Sequence, residues 1–231
     1  MPTPEVTAFR QSVVASAEMM VRSGILSASQ HGNISVLLPE RDQMMLTARS
    51  ALANLRGDEV ARLGLGGDLR EGQLDPASHE IIRMHTVVYE HCPGARAVIH
   101  THSPYATAFA VASRPIEVCA EVLARWVGTE PIPVARYGPR GSEASVANIA
   151  AVLREHPKAS ALLLEHHGVL VWGENVEQAT RIAMALEEGA QVTLLASALG
   201  PLRAIPGDGA LGTQQRRLEF EQKGTVTAGG S

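Results

Sequence analysis

Two histidines at the end of an apolar run are the residues whose types and spacing most directly suggest chemistry in this sequence. His100 and His102 follow the apolar stretch 97–99, and Pro104 closes the segment. Alternate side chains of a β-strand point to one face, so two imidazoles spaced i, i+2 can converge on one cation. The same spacing also fits an ordinary pair of polar residues at a strand end, and this segment alone leaves both interpretations open.

A second histidine pair could complete such a site. His166 and His167 separate the apolar runs 161–164 and 169–172, and Gly168 permits a tight bend between them. Adjacent strand residues face opposite ways, so only one of these imidazoles can share a face with a given site. A third imidazole would match catalytic zinc, which keeps a position open for water or substrate. The alternative is that both are ordinary strand-end residues.

The patterns around these histidines predict helices and strands in irregular alternation. Apolar periodicity predicts four main helices, at 5–23, 78–91, 142–155 and 175–199, with a short helix at 105–112. Strands are predicted at 34–38 and 44–47, a hairpin-like turn at 63–69, and an edge-like strand at 131–134. The tail from residue 200 is rich in Gly, Pro and Thr, which predicts irregular structure with a possible short helix at 214–223. These elements predict an α/β/α layered domain around a mixed sheet.

Composition limits the function classes. A chain of 231 residues, 45% hydrophobic and 19% charged, predicts one domain over residues 1–231 with a substantial core. A net charge of −4 provides no excess of positive charge for binding nucleic acid. No apolar run is long enough to span a bilayer, the N-terminus lacks a signal peptide's pattern, and Cys92 and Cys119 are too few for a disulfide framework. We therefore expect a cytoplasmic protein without a membrane or nucleic-acid partner.

Taken together and in order, these motifs resemble the class II aldolase/adducin family. The matching segments are Gly-Asn-Ile-Ser at 32–35, the stretches 85–89 and 93–102, and His-His-Gly at 166–168. The similarity covers about residues 8–200, which leaves 201–231 as a divergent tail. The resemblance implies a three-layer α/β/α sandwich around a mixed, largely antiparallel sheet. It also implies a homotetramer with active sites at the subunit interfaces.

The resemblance implies a metal site and an acid/base residue. His100, His102 and His167 would hold a divalent cation, with zinc favoured by three nitrogen ligands and manganese or iron as alternatives. Glu80 would be the catalytic acid/base, although it lies five residues before His85 where the family has four, so the local register must differ. The alternative for Glu80 is a first-turn glutamate favoured by the helix dipole. Val88 and Tyr89 share a helix face with His85, which predicts that His85 packs in the core.

The resemblance also implies a small anionic substrate. Gly32 and Asn33 match the family's phosphate-binding segment, and His31 stands beside them where the family has a small residue, as a substrate contact or an exposed loop residue. Arg49 replaces part of a phosphate-binding loop, and its planar guanidinium suits a carboxylate as well as a phosphate. The family has two phosphate-binding serines at this point; this chain keeps one of them as Ser78 and has Ala77 in place of the other. The substrate is therefore expected to be a sugar phosphate or a carboxylate.

One departure concerns the reaction itself. Cys119 occupies the position of the family's catalytic tyrosine, counted from Pro115. The favoured function is a metal-dependent lyase that cleaves a C–C bond next to a carbonyl through a metal-stabilised enediolate, in the manner of a retro-aldol reaction. The alternatives on the same scaffold are decarboxylation of a carboxylate, an Fe(II) oxygenase, and a non-enzymatic binding module like the adducin head.

Overall fold

Eight strands form one sheet in the computed structural model, which describes residues 4–39, 42–206 and 208–223. The spatial order of the strands is β4-β3-β2-β1-β5-β8-β7-β6. Their bounds are β1 Gly32–Leu37, β2 Gln43–Thr47, β3 Val60–Gly64, β4 Leu69–Glu71, β5 Ala97–Thr101, β6 Val134–Ala135, β7 Ala161–Leu164 and β8 Gly168–Gly173. The pair β6–β7 is parallel and the other pairs are antiparallel, which confirms the predicted mixed, largely antiparallel sheet.

Helices cover both faces of this sheet. Their bounds are α1 Pro4–Ser23, α2 Ile82–His91, α3 Pro104–Val111, α4 Glu121–Trp126, α5 Glu143–Glu155, α6 Val176–Ser197 and α7 Gly209–Lys223. One core packs the sheet against α1, α3, α4 and α6, and a second core packs its other face against α2 and α5. The predicted α/β/α layering is therefore confirmed, and the ends of α1, α5 and α6 agree with the predicted helices to within two residues.

Both faces of the central strands are buried. Along β5, Ile99 points into the first core and Val98 into the second. Every residue of β1, β5 and β8 is buried. Because helices cover both sides of the sheet, β5 and β8 lack the alternation of apolar and polar residues that is typical of a strand with one solvent-facing side.

The register of β1 against β5 sets the geometry at one end of the sheet. Asn33 lies opposite His100 and Gly32 opposite Thr101. A Cβ atom on Gly32 would lie 2.8 Å from the His100 carbonyl oxygen, so the close approach of these strands needs glycine at this position.

The segment before α2 differs from the sequence prediction. A continuous helix was expected from 78 to 91, but residues Pro76–Ile81 form a 3₁₀ helix and α2 begins at Ile82. The Ser78 amide donates to the Asp75 carbonyl three residues earlier, which is the 3₁₀ pattern, and the Ser78 hydroxyl donates to the Ala48 carbonyl at 3.0 Å. The local register around Glu80 therefore differs from that of an α-helix.

The C-terminal tail is more regular than its composition suggests. The tail was predicted to be irregular except for a short helix at 214–223, whereas α7 already begins at Gly209 and packs against α4. The Arg217 side chain is buried, and its guanidinium carbon lies 5.1 Å from the ring centre of Trp126 in α4. Residues 224–231 of the predicted tail lie outside the described residues. That one domain spans 1–231 stays a prediction.

Crossing a bilayer needs a long apolar helix, and none of the helices within the described ranges combines the necessary length and hydropathy.

Replacing Arg217 with alanine should loosen α7 from α4. The substitution removes the cation–π contact with Trp126 and the packing of the aliphatic stem, which together are worth about 1–2 kcal/mol. Urea unfolding should show that loss, while Arg216→Ala, which changes an exposed neighbour on the same helix, should leave the free energy of unfolding unchanged. Equal effects of the two substitutions would contradict the docking of α7.

Candidate metal centre

Four imidazoles meet where β1, β5 and β8 end. His31 and His102 stack with their ring centres 4.3 Å apart, and His100 and His167 lie 4.7 Å apart. The rings of His102 and His167 are 5.0 Å apart. The structure therefore brings together the three predicted ligands and adds His31, which the sequence left as a substrate contact or a loop residue.

The four imidazoles come from three segments of the chain, and His31 directly precedes β1. His100 is on β5, and His102 follows the end of that strand. His167 lies in the bend between β7 and β8, where His166 takes a φ of 58°. The His166 ring lies instead near Tyr137, at 6.0 Å between ring centres. The bend thus directs one member of the pair to the cluster and the other away from it.

Gly168 makes room for the cluster. A Cβ atom built there would lie 2.9 Å from the His102 ring, 3.2 Å from the His100 ring and 2.5 Å from the Thr101 carbonyl oxygen. The backbone of β8 can reach this position only because residue 168 has no side chain.

Hydrogen bonding fixes the tautomer of His100. Its Nδ1 lies 2.8 Å from the Val169 carbonyl oxygen, which can only accept, so Nδ1 carries the proton. The unprotonated Nε2 then faces the cluster, 3.1 Å from Nε2 of His102. Two nitrogens bound to one tetrahedral zinc lie about 3.3 Å apart, given Zn–N distances of ~2.0–2.1 Å. This donor pair fits a metal ion, and the backbone carbonyl is the kind of outer partner that orients a ligating histidine.

The environment keeps all four imidazoles neutral. Burial, followed by the neighbouring His167 and His102, holds the pKa of His100 well below 6.5. Burial and the nearby His31 lower the pKa of His102 to about 4. Burial and Arg140 lower the pKa of both His31 and His167. Neutral imidazole is the form that binds metal ions, so the site is prepared to accept one near neutral pH.

A buried network of hydrogen bonds between β1 and α2 lies next to the site. His85 is fully buried, which confirms its predicted core position, and burial lowers its pKa to about 3. Its Nε2 donates to the Asn33 side-chain oxygen at 2.5 Å, and its Nδ1 accepts from the Ser35 hydroxyl at 2.7 Å. The Tyr89 hydroxyl lies 2.7 Å from the same serine oxygen. This chain fixes the orientation of Asn33 beside His100.

Glu80 lies at the side of the cluster and is paired with a residue that the sequence did not single out. Its carboxylate is 3.0 Å from Nε of Arg140, and both residues line a small cavity with His167. Arg140 also donates to the Ala77 carbonyl at 2.8 Å. The guanidinium thus fixes Glu80 and places a positive charge near His31, His102 and His167.

Three of the predicted substrate-binding residues use their donors inside the chain. The Gly32 amide donates to the Ser50 carbonyl at 2.8 Å, and the Ser78 hydroxyl donates to the Ala48 carbonyl at 3.0 Å. Arg49 pairs with Glu59 at 2.9 Å and donates to carbonyls of the loop 51–54. Their contact with a substrate stays a prediction, and it would require these bonds to be exchanged.

Asn33, the fourth predicted substrate-binding residue, differs from the other three. Its side chain is fully buried and its Nδ2 has no hydrogen-bond partner among the described residues. A buried amide donor without a partner is costly, so this donor is available to a ligand.

Cys119 lies in the half-buried loop before α4. Its sulfur is 3.4 Å from the hydroxyl oxygen of the buried Thr193 in α6. Cys119 therefore packs against α6.

Comparison with known proteins identifies the family of this chain. The sequence pattern of the class II aldolase and adducin N-terminal domain matches residues 11–194. The chain belongs to the class II aldolase and adducin family. A solved L-fuculose 1-phosphate aldolase shares the fold of this class II aldolase domain, with a TM-score of 0.81 over 95% of this chain and 99% of that one, at 22% identity.

Relatives of this class II aldolase chain differ in the reactions that their names give. An L-fuculose phosphate aldolase of Escherichia coli O6:H1 is 30% identical over 82% of this chain and 84% of its own length. A probable L-ribulose-5-phosphate 4-epimerase of Mycoplasma pneumoniae is 30% identical over 74% of both chains. A 3-oxo-tetronate 4-phosphate decarboxylase of E. coli K12 is 27% identical over 80% of this chain and 86% of its own length. Family membership therefore does not choose among these reactions.

The sequence left His31 open between a substrate contact and an exposed loop residue, and it did not single out Arg140. His31 is next to the Gly-Asn-Ile-Ser segment, and its proximity to His102 follows only from the pairing of β1 with β5. Arg140 lies in the loop before α5, next to Gly141 with a φ of 73°, and no spacing in the sequence links it to Glu80.

Replacing Gly168 with alanine should weaken metal binding. The added methyl group would displace both His100 and His102, and disturbing ligand orientation costs roughly 10–100-fold in affinity. Chelator competition with zinc should show this loss. The control is Gly94→Ala, at an exposed turn where an added Cβ has nothing within 4 Å, and it should bind zinc as the wild type does. Unchanged affinity in Gly168→Ala would contradict the crowding described here.

His85 should make the metal-stripped protein sensitive to acid. Its folded pKa of about 3 lies below the ordinary 6.5, so between these values the unfolded chain binds the extra proton. This contribution to stability is complete above pH 6.5 and is lost as the pH falls toward 3, with a slope of up to ~1.4 kcal/mol per pH unit.

The comparison with His85→Gln isolates this contribution. The variant should be less stable at pH 7, because the packed network is disturbed, yet its free energy of unfolding should fall less steeply between pH 6.5 and 4. Parallel slopes for the two proteins in denaturant titrations would contradict the buried, neutral state of His85.

Proposed function

We propose that this protein is a divalent-metal-dependent lyase that cleaves a C–C bond next to a carbonyl group, in the manner of a retro-aldol reaction. The observation that supports this most strongly is the convergence of neutral imidazoles, with Nε2 of His100 left unprotonated by the hydrogen bond to Val169. Membership of the class II aldolase family and the aldolase relatives support the same reaction class.

His100, His102 and His167 would hold the ion, and zinc is the metal proposed, with manganese or iron as alternatives. When bound, the ion supplies Lewis-acid polarisation of a carbonyl and stabilises the charge that develops as the neighbouring bond breaks. The protein's part is to present these nitrogens without protons and to hold the rings rigidly between β5 and the β7–β8 bend.

Glu80 is the proposed acid/base. It is about half exposed, lies beside His167 and is held by Arg140 at 3.0 Å, so the ion pair keeps its carboxylate next to the proposed metal site. A carboxylate placed in this way can carry a proton to or from a reacting carbon or oxygen atom.

Two groups are placed to receive the anionic end of a substrate. Asn33 offers a buried amide donor without a partner. Arg140 offers a partly exposed guanidinium, a group whose planar fork suits phosphate and carboxylate. Gly32, Arg49 and Ser78 contact the substrate in this proposal only if their internal hydrogen bonds are exchanged.

Decarboxylation is the second candidate reaction. Cys119 stands where the aldolase resemblance places a catalytic tyrosine, and one relative is named as a decarboxylase of a 3-oxo sugar acid phosphate. Iron in the purified protein would instead favour an oxygenase, and lack of metal binding would favour an adducin-like binding module. A homotetramer with interfacial sites and a cytoplasmic location stay predictions.

The reaction can be tested with two substrates and three variants. Zinc-loaded protein is given L-fuculose 1-phosphate, with release of the aldehyde measured, and 3-oxo-tetronate 4-phosphate, with release of CO₂ measured. Turnover of either substrate supports lyase chemistry and decides between the two reactions. His100→Ala should lose both the metal and the turnover.

Glu80→Gln separates metal binding from proton transfer. This variant should keep one metal ion per chain while kcat falls by about 10²–10⁴-fold. Glu90→Gln, an exposed change on α2, is the matched control and should keep full activity. Full activity in Glu80→Gln would contradict its proposed role, and activity in metal-free protein would contradict the proposed function.

A further inference from the structure

His31 lies against His102 at one side of the cluster, a position for which the resemblance gives it no metal-binding role. In the antiparallel register of β1 and β5, Gly32 lies opposite Thr101. Continuing that register by one residue places His31 opposite His102, and the two rings stack at 4.3 Å with an angle of 28° between their planes. His31 is therefore held against a predicted metal ligand by the pairing of two central strands.

The nitrogen atoms of His31 are close enough to share an ion with its neighbours. One ligating nitrogen from each of His31, His100 and His102 lies within 4.8 Å of the other two. Cations bound by several side chains bring such atoms to about 3 Å from one another, so small rotations of half-buried rings are sufficient. Among the described residues, neither ring nitrogen of His31 has a hydrogen-bond partner that would have to be displaced.

Glu80, the carboxylate that lines a small cavity with His167, is already paired. Glu80 is bound by Arg140 at 3.0 Å, so its nearest cationic partner is a guanidinium of the same chain. An imidazole on the β1 side can therefore supply the additional ligand that a carboxylate would otherwise provide.

We propose that His31 is a direct ligand of the metal ion, so that this chain binds its divalent cation with four imidazoles, His31, His100, His102 and His167. This inference rests on the metal centre of the proposed function. Four nitrogen donors select ions that prefer imidazole, such as zinc, cobalt, nickel or iron, over magnesium or calcium. Because three protein ligands leave one position open on a tetrahedral ion and four leave none, His31 also determines whether substrate must displace a ligand.

Cobalt(II) is the probe for this inference because its visible absorption reports the number and type of its ligands. The full chain is stripped with a chelator and titrated with Co²⁺, and both the spectrum and the Kd are measured for the wild type and for His31→Ala. His156→Ala removes another half-buried histidine, outside the cluster, and serves as the control.

The wild type and His156→Ala should bind one Co²⁺ with the same spectrum. His31→Ala should still bind one Co²⁺, with a changed spectrum and a Kd weakened at least about ten-fold. Removing even a residue that only hydrogen-bonds to a metal ligand typically lowers metal affinity by about 10–100-fold. Added imidazole should restore the wild-type spectrum by filling the space that the side chain leaves.

An unchanged spectrum and Kd in His31→Ala would overturn the role of His31 while leaving the metal centre of the proposed function intact. Failure of the wild type to bind Co²⁺ would overturn both. His31→Gln, which keeps most of the side-chain volume, should show the same spectral change as His31→Ala. A wild-type spectrum and Kd in His31→Gln would overturn the inference, because they would mean that packing by His31 is sufficient.

Discussion

Four imidazoles can share one end of a sheet only if their rings are uncharged, each with one protonated and one unprotonated nitrogen. Burial lowers the pKa of each ring in the cluster, neighbouring imidazoles lower it further for His100, His102 and His167, and Arg140 acts in the same direction on His31, His102 and His167. Glu80, the carboxylate lining the cavity beside His167, is paired with Arg140. The cluster therefore presents unprotonated nitrogen atoms that can coordinate a divalent cation.

The rest of the fold keeps these rings in place. Pairing of β1, β5 and β8 fixes the positions of His100 and Asn33, and Gly32 and Gly168 remove the side chains that would push the strands apart. Helix α3, which begins two residues after His102, is held by Glu187, whose carboxylate accepts from the amides of Tyr105 and Ala106 at 2.8 and 2.9 Å. Ligands carried on rigid elements lose little entropy when an ion binds.

How much of this could be read from the sequence depended on whether the signal was local. The i, i+2 spacing of His100 and His102, the glycine after His167 and the apolar runs around them are local patterns, and they predicted the strands and the shared face of His100 and His102. The choice of His167 over His166 as the third candidate ligand came from the family resemblance. The long helices α1, α5 and α6 followed from periodicity over many residues.

The features that were missed depend on pairing across the chain. His31 reaches His102 only through the register of two strands that are far apart in sequence, and Arg140 reaches Glu80 only through the packing of a loop. Helix α7 carries a weak apolar pattern, and it is held by the contact of Arg217 with Trp126 rather than by propensity. The 3₁₀ helix before α2 depends on bonds from residues 75 and 78 to Ala48, which no local pattern predicts.

The central claim is that this cluster of neutral imidazoles holds a divalent ion. X-ray absorption at the metal edge of the purified full-length protein tests it most directly, because imidazole ligands give a first shell of nitrogen and a characteristic outer shell of ring carbons. The account predicts one ion per chain with a nitrogen shell at ~2.0–2.1 Å and strong imidazole scattering. An ion coordinated by oxygen alone, or a protein that remains metal-free after loading, would contradict it.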